Sequence, residues 1–263
     1  LLAQLGRSAS WASVMPKGEL GERVLDEFRS VGVHLGNIVR TERGRVALYF
    51  MEPGEYPMPA KVIYDRLYTP FRDAGIEDFD WESMLDARLV FVTGITAALT
   101  ENTARVVGYF VDQAAERGID VALDVNYRSL LWDADSARRV LEPIAFCSRS
   151  DGTRVFGIPG DGMTVCRTLR EAFDVPVVVS TDQINGVYLS TAEKDRRFEV
   201  VQVPVVDRPG AGDSFVAGTL HGFLDGDVEA GIGYGLRTSS YALTHYGDLT
   251  HVAPHELDLP TTT

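Results

Sequence analysis

Cysteine is scarce in this chain of 263 residues, and positive charge is in short supply. Cys147 and Cys166 are its thiols, and two cysteines without a Cys-x-x-Cys spacing make neither a disulfide framework nor a zinc or redox pair. Buried, reduced thiols are expected, in keeping with a cytoplasmic setting. Lys and Arg number 25 against 38 Asp and Glu, a net charge of −13, so the surface field repels phosphate backbones and nucleic acid is not an expected partner. No run of eighteen apolar residues and no basic amphipathic helix occurs, so no membrane partner is expected either. The Walker A string GxxxxGK[ST] is missing. His251 and His255 stand four apart but lack the glutamate of HExxH, which argues against zinc. The three tryptophans are scattered, with no aromatic ladder for single-stranded nucleic acid. What remains, 45% apolar and 24% charged residues, excludes disorder, collagen and coiled coil and makes one large domain or two modest ones.

The order of elements follows from periodicity and punctuation. The chain opens at Leu1 without a Met and runs into a helix-like LLAQLG, so a start further upstream is expected. RLVFVTG at 88–94 is a continuous apolar run ending in glycine, as in a buried parallel strand. A helix follows over Glu101 to Arg117 and stops at Gly118. IDVALDVN, a helix-like stretch from Asp135 to Leu141, and PIAFC around Ile144 repeat the alternation, which VPVVVST (175–181) and GVYLS (186–190) continue. Such alternation predicts a mostly parallel sheet with helices on both faces. GDG at 160–162 reads as a loop and helix start. Two Gly- and Ala-rich helices, Ala211 to Leu224 and Val228 to Tyr246, close the chain. Between 33 and 71 the helical period is lost. RVALYFME and AKVIYDRLY, parted by a Pro- and Gly-rich turn, predict a small sheet instead. Period two sets Tyr64 and Arg66 on one face, either as a polar ligand face or as a solvated one.

Chemistry concentrates in VVDRPGAGDSFVAGTLHGF, 205–223. Gly210, Ala211 and Gly212 precede an apolar-periodic helix, so their amides can converge at its positively polarised N-terminus and bind an anion. Asp213 in the first turn is a helix-dipole partner by position. Beside an anion site it is also placed to take a proton from an acceptor hydroxyl, and these are the two parts that phosphoryl transfer requires.

Asp207, Gly210, Ala211, Gly212 and Asp213 match the C-terminal signature of the ribokinase-like (PfkB-type) sugar kinases, and the chain resembles that family along nearly its whole length. The resemblance implies a ribokinase-like three-layer α/β sandwich with a mostly parallel sheet. Its nucleotide-binding and catalytic domain would span 1–32 and 72–263, with a β lid over 33–71. The family's first strand and Gly-Gly substrate turn have no counterpart here. YDR (Tyr64 to Arg66), GIT (Gly94 to Thr96), DVNYRSLLW (Asp124 to Trp132) and YGD (Tyr246 to Asp248) resemble the 2-keto-3-deoxygluconate kinase branch most.

That branch implies ATP and Mg2+, with Asp213 as base and Gly210 to Gly212 as anion hole. It also implies sugar-acid contacts from Tyr49, Tyr64, Arg66, Ile95, Arg128 and Asp248. An acid substrate in so acidic a chain needs guanidinium partners, and Arg66 and Arg128 are candidates, though Arg128 also reads as a surface loop arginine. Nucleotide contacts are implied for Ser148, Thr181, Gly186, Asp207, Gly210 and Gly212, and magnesium for Asp151. Where the family has Asn-x-x-Glu this chain has Ser148-Arg149-Ser150-Asp151. In Thr181-Asp182-Gln183-Ile184-Asn185-Gly186, Gln183 replaces a glycine, a change expected to narrow the phosphate channel. Lids of this kind often pack between subunits, so a homodimer is expected. A kinase of a neutral sugar, or a catalytically silent sugar-binding protein of the same fold, stays open as an alternative.

Overall fold

The computed structural model describes residues 1–52, 54, 61–127 and 144–257. Two units are present, Leu1–Ala74 with Val203–Thr263, and Gly75–Gln202. In the first, strands β1 (Ser13–Pro16) and β2 (Ile38–Thr41) pair in parallel, Ser13 opposite Ile38, and the Glu19–Ser30 helix links them. Neither β1 nor that helix is marked by the sequence patterns above, and β2, although inside the expected lid, belongs to this pair. The two alternating runs form a hairpin of β3 (Leu48–Glu52) and β4 (Lys61–Asp65), antiparallel, with Tyr49 opposite Tyr64 and Phe50 opposite Ile63. Alternation gives the hairpin two faces: Tyr49 and Tyr64 on one, Leu48, Phe50 and Ile63 on the other, and those three apolar side chains are exposed. Residues 1–6 form a turn and not the expected helix, with Gly6 at φ 83°.

The helices Ala211–Phe223 and Val228–Leu243 pack against each other along a seam of glycines. A Cβ at Gly222 would lie 2.4 Å from the backbone of Gly231, and one at Gly218 would lie 2.7 Å from Gly235. Each helical glycine costs about 1 kcal/mol against alanine, a cost offset here by backbone contact that no larger residue permits. The second helix ends at Leu243, short of the expected Tyr246: the amides of Thr244 and His245 bond carbonyls three residues back, Tyr241 at 3.1 Å and Ala242 at 3.5 Å, and the amide of Val206 takes the Leu243 carbonyl at 2.8 Å.

In the second unit β5 (Leu89–Thr93), β6 (Asp120–Asp124), β7 (Ile144–Ser148), β8 (Val177–Thr181), β9 (Val187–Thr191) and β10 (Asp195–Phe198) form one sheet in the order β10-β9-β8-β7-β6-β5. Pairing from β5 to β8 is parallel, as expected. β9 departs from the expected continuation, since it runs antiparallel to β8. Residues 182–186 are the whole connection between them, far short of a crossover. Val121, Ala122 and Leu123 are buried in succession, as are Val187, Tyr188 and Leu189. Burial without alternation means that both faces of the sheet are covered. The helices Glu101–Glu116, Arg149–Phe156 and Gly162–Phe173 supply Val107, Val155 and Val165 to that core, and Asp161 of the GDG string caps the third through Thr164 N at 2.9 Å. No helix among the described residues is long and apolar enough to cross a membrane.

Both cysteines are free and buried in this core, and burial pushes their thiols up from the ordinary range. Iodoacetamide at about pH 8 is therefore expected to leave the native protein unlabelled and to modify both thiols once urea unfolds it, as mass spectrometry would read. Labelling of folded protein would contradict the packing role.

Candidate active site

The Ala211–Phe223 helix starts where Gly210 turns the chain into the left-handed region, φ 72° and ψ −8°. Only glycine suits that point, for a second reason: a Cβ there would sit 2.4 Å from the carbonyl oxygen of Asp248. The first intrahelical bond runs from Ser214 N to Gly210 O at 2.8 Å. First-turn amides thus project from the positive end of the helix, and a Cβ on Gly212 would meet nothing within 4 Å, so a ligand can approach the backbone there. Asp213 is exposed in that first turn. Its neighbour Ser214 is buried, its hydroxyl 2.9 Å from Thr250 Oγ1 and its carbonyl accepting from Thr238 Oγ1 at 2.7 Å, which fixes the turn from behind.

Asp207 braces the same corner. One carboxylate oxygen accepts from Arg208 N at 2.9 Å and the other from Gly247 N at 3.1 Å. Asp248 follows, and its Oδ2 accepts from Tyr49 Oη of the hairpin at 2.9 Å. Partial burial, then the bond to Asp248, pushes the Tyr49 phenol up to about 12, so it remains a donor across the physiological range. Tyr64 faces Tyr49 across the hairpin, and the Arg66 guanidinium lies over the Tyr64 ring, 4.2 Å from its centroid. Asp65 pairs with Arg45. One continuous set of contacts within this unit therefore links Tyr49, Tyr64, Arg66, Asp248 and Gly210, residues spread over 199 positions of sequence.

The second unit collects its candidates at the C-terminal ends of its parallel strands, where open α/β sheets bind ligands. Ile95 lies in a single helical turn, Gly94–Ala97, directly after β5. Asp124 ends β6 and accepts from Asn126 N at 3.1 Å. Arg128 lies outside the described residues. Ser148 ends β7 as the cap of the Arg149–Phe156 helix, its hydroxyl accepting from Asp151 N at 3.0 Å. This is the work that a serine does well at that position. Asp151 stands in the first turn of that helix. Thr181 ends β8 directly opposite Ser148. Gln183 and Gly186 then take φ 50° and 137°, so the residue in a glycine's place adopts the conformation that glycine favours. Among the described residues no three His, Cys, Asp or Glu side chains converge on a metal-sized point. A magnesium ion fits this unit only as it commonly binds with nucleotides, on one carboxylate such as Asp151 plus phosphate oxygens and water.

The sequence motifs assign no role to Arg149 and Asp182, whose side chains meet at 2.9 Å. The available signal was a charged residue immediately after each of two neighbouring parallel strands.

Residues 1–255 match the model of the pfkB family of carbohydrate kinases. The 2-dehydro-3-deoxygalactonokinase of Haloferax volcanii is 33% identical over 264 residues, covering 97% of this chain and 82% of that protein. The crystal structure of 2-dehydro-3-deoxygluconokinase from Thermotoga maritima matches with a TM-score of 0.88 at 28% identity, over 98% of this chain and 84% of that one. A putative ribokinase II from E. coli, in complex with ATP and Mg2+, shares the fold with a TM-score of 0.87 at 16% identity, over 98% and 84%.

Proposed function

Since the chain belongs to the pfkB family of carbohydrate kinases, ATP-dependent sugar phosphotransferases with a ribokinase-like α/β fold, we propose that it transfers the ATP γ-phosphate to a hydroxyl of 2-keto-3-deoxygluconate or a similar sugar acid. The observation that carries this reading is the Arg66 guanidinium, oriented by the Tyr64 ring on the same hairpin face as Tyr49, whose hydroxyl reaches Asp248 behind the Gly210 turn. A carboxylate-bearing sugar finds there a planar cation and two phenols, partners that a neutral sugar does not require. The names of the relatives in Haloferax volcanii and Thermotoga maritima support the same substrate class.

In this reading Asp213 accepts the proton of the attacking hydroxyl while the new O–P bond forms and the bond from the γ-phosphorus to the bridging oxygen breaks, leaving ADP. The amides of Gly210, Ala211 and Gly212 hold the transferring phosphoryl oxygens from the positive helix end. Tyr49, Tyr64, Arg66 and Asp248 bind and orient the sugar acid, with Ile95 and Arg128 assigned by resemblance. Ser148, Thr181, Gly186 and Asp207 serve the nucleotide. Asp151 would hold Mg2+, which when bound offsets phosphate charge. Residues 33–71 act as a lid on the body formed by 1–32 and 72–263, excluding water from the transfer. The apolar face of Leu48, Phe50 and Ile63, exposed on the side of the hairpin opposite Tyr49 and Tyr64, supports a homodimer through the lid. A cytoplasmic location accords with the buried free thiols.

ADP release with MgATP and 2-keto-3-deoxygluconate, its galactose epimer, gluconate, fructose and ribose tests the reading. Turnover is expected for the keto-deoxy acids alone. Turnover on fructose or ribose would keep the kinase and remove the acid site. Silence on all five would move the protein to the binding class.

A further inference from the structure

β7 and β8 run parallel with Ser148 opposite Thr181, so the chain leaves both strands side by side. The next residue of each exit is charged, and the two meet: Arg149 Nε donates to Asp182 Oδ1 at 2.9 Å. The carboxylate is nearly enclosed, its side chain 11% exposed against 41% for the arginine. Its other oxygen accepts from Asn185 Nδ2 at 3.3 Å. Backbone bonds from Asp182 N to Gly186 O at 3.0 Å and from Asn185 N to Asp182 O at 2.9 Å close the turn between them. From the edge strand, Arg197 binds the Asn185 carbonyl through Nε at 3.0 Å and Nη2 at 2.7 Å.

Gln183 sits inside this turn at φ 50°. A side-chain-bearing residue stays in the left-handed region only where its surroundings over-determine it. An enclosed carboxylate, likewise, is tolerated when paired and is costly when its partner is removed. Both features mark the turn as held by design of its contacts and not by the ease of its backbone. What the ion pair joins is specific: the Ser148–Asp151 turn, capped on Ser148 Oγ, and the Thr181–Gly186 turn.

We propose that Arg149 and Asp182 are positioning residues for the nucleotide, locking these two turns at one separation before MgATP arrives. The proposal rests on the nucleotide reading of Ser148, Asp151, Thr181 and Gly186 given above. The pair acts through those residues and contributes affinity by preorganisation, since the cost of ordering two independent turns is already met in the free protein.

Calorimetric titration of MgADP without sugar tests it on wild type, Arg149→Gln, Asp182→Asn, the double variant and Arg149→Lys. Each single neutralisation is expected to weaken MgADP by about tenfold, as loss of an orienting partner typically does. The double variant should be no weaker than either single one, because the pair is one interaction. Arg149→Lys, which keeps the charge on the half-exposed partner and so leaves the fold undisturbed, should recover most of the affinity. The KM for sugar acid should not follow the loss. Unchanged MgADP affinity in Arg149→Gln, additive losses, or a lowered thermal midpoint with affinity intact would each overturn the proposal. A wild type that binds no MgADP would instead remove the nucleotide reading and this pair's role with it, an outcome distinct from a wild type that binds and variants that equal it.

Discussion

Asp213→Asn is expected to lower kcat and kcat/KM together by about 10²–10⁴-fold, the range that a positioned general base contributes. The two parameters fall equally because the proton transfers only as the transition state forms, so substrate binding does not report it. Asp213 is exposed, in the first turn of its helix, while the buried Ser214 beside it carries the contacts to Thr250 and Thr238. The variant should therefore unfold near the wild-type temperature, and its far-ultraviolet dichroism should match. The competing role for a carboxylate at this point is to complement the helix dipole. Under that role the substitution would trim stability slightly and leave turnover alone. Single-turnover rates beside thermal midpoints separate the two, and near-normal turnover in a folded Asp213→Asn would remove the base assignment.

The second large effect concerns how the helix start proposed as the anion hole is held. Gly231→Ala places a methyl 2.3 Å from the carbonyl oxygen of Thr219, a backbone atom of the facing helix that cannot rotate away. The helices must separate, and overpacking of this kind typically costs about 1–3 kcal/mol, or more when backbone has to move. For a chain of this size that is a drop of roughly 2–4 °C in Tm for each kcal/mol. Two positions on, Gly233 is exposed and its added Cβ would meet nothing within 4 Å. Gly233→Ala should therefore gain up to about 1 kcal/mol from helix propensity. Opposite signs at neighbouring glycines of one helix, read by differential scanning calorimetry, identify the seam. Equal signs would show that the helices can adjust. Because the displaced helix is the one that begins at Gly210, Gly231→Ala should also lower kcat in protein that is still folded.

Much of the local structure around the candidate site is legible in the sequence. The GAGD string marks a helix start, because small residues ahead of an apolar-periodic run let the chain turn there, and the helix does begin at Ala211 after Gly210 in the left-handed region. Tyr64 and Arg66 announce a shared face because strand geometry has period two, and the 4.2 Å stacking bears that pairing out. The continuous apolar runs at β5 to β8 point to parallel strands, since strands covered on both faces lose their alternation, and the pairing is parallel. The apolar run of β9 carries no sign of its antiparallel direction, which only the short connection of residues 182–186 requires, since it excludes a crossover on length alone. The Leu1–Gly6 string shows the opposite failure, since local propensity points to a helix where the chain forms turns that end at Gly6 in the left-handed region.

Local pattern, then, is enough for the parallel strands and for the start of the signature helix, because each depends on residues within one or two turns of one another, while the family rests on the resemblance of its motifs. Tertiary structure alone decided that Tyr49 reaches Asp248, that Gly210 lies against the Asp248 carbonyl, and that Arg149 pairs with Asp182. Contacts of that kind join segments whose separation along the chain carries no periodic signal. They exist only once packed helices and strand register have brought the segments together.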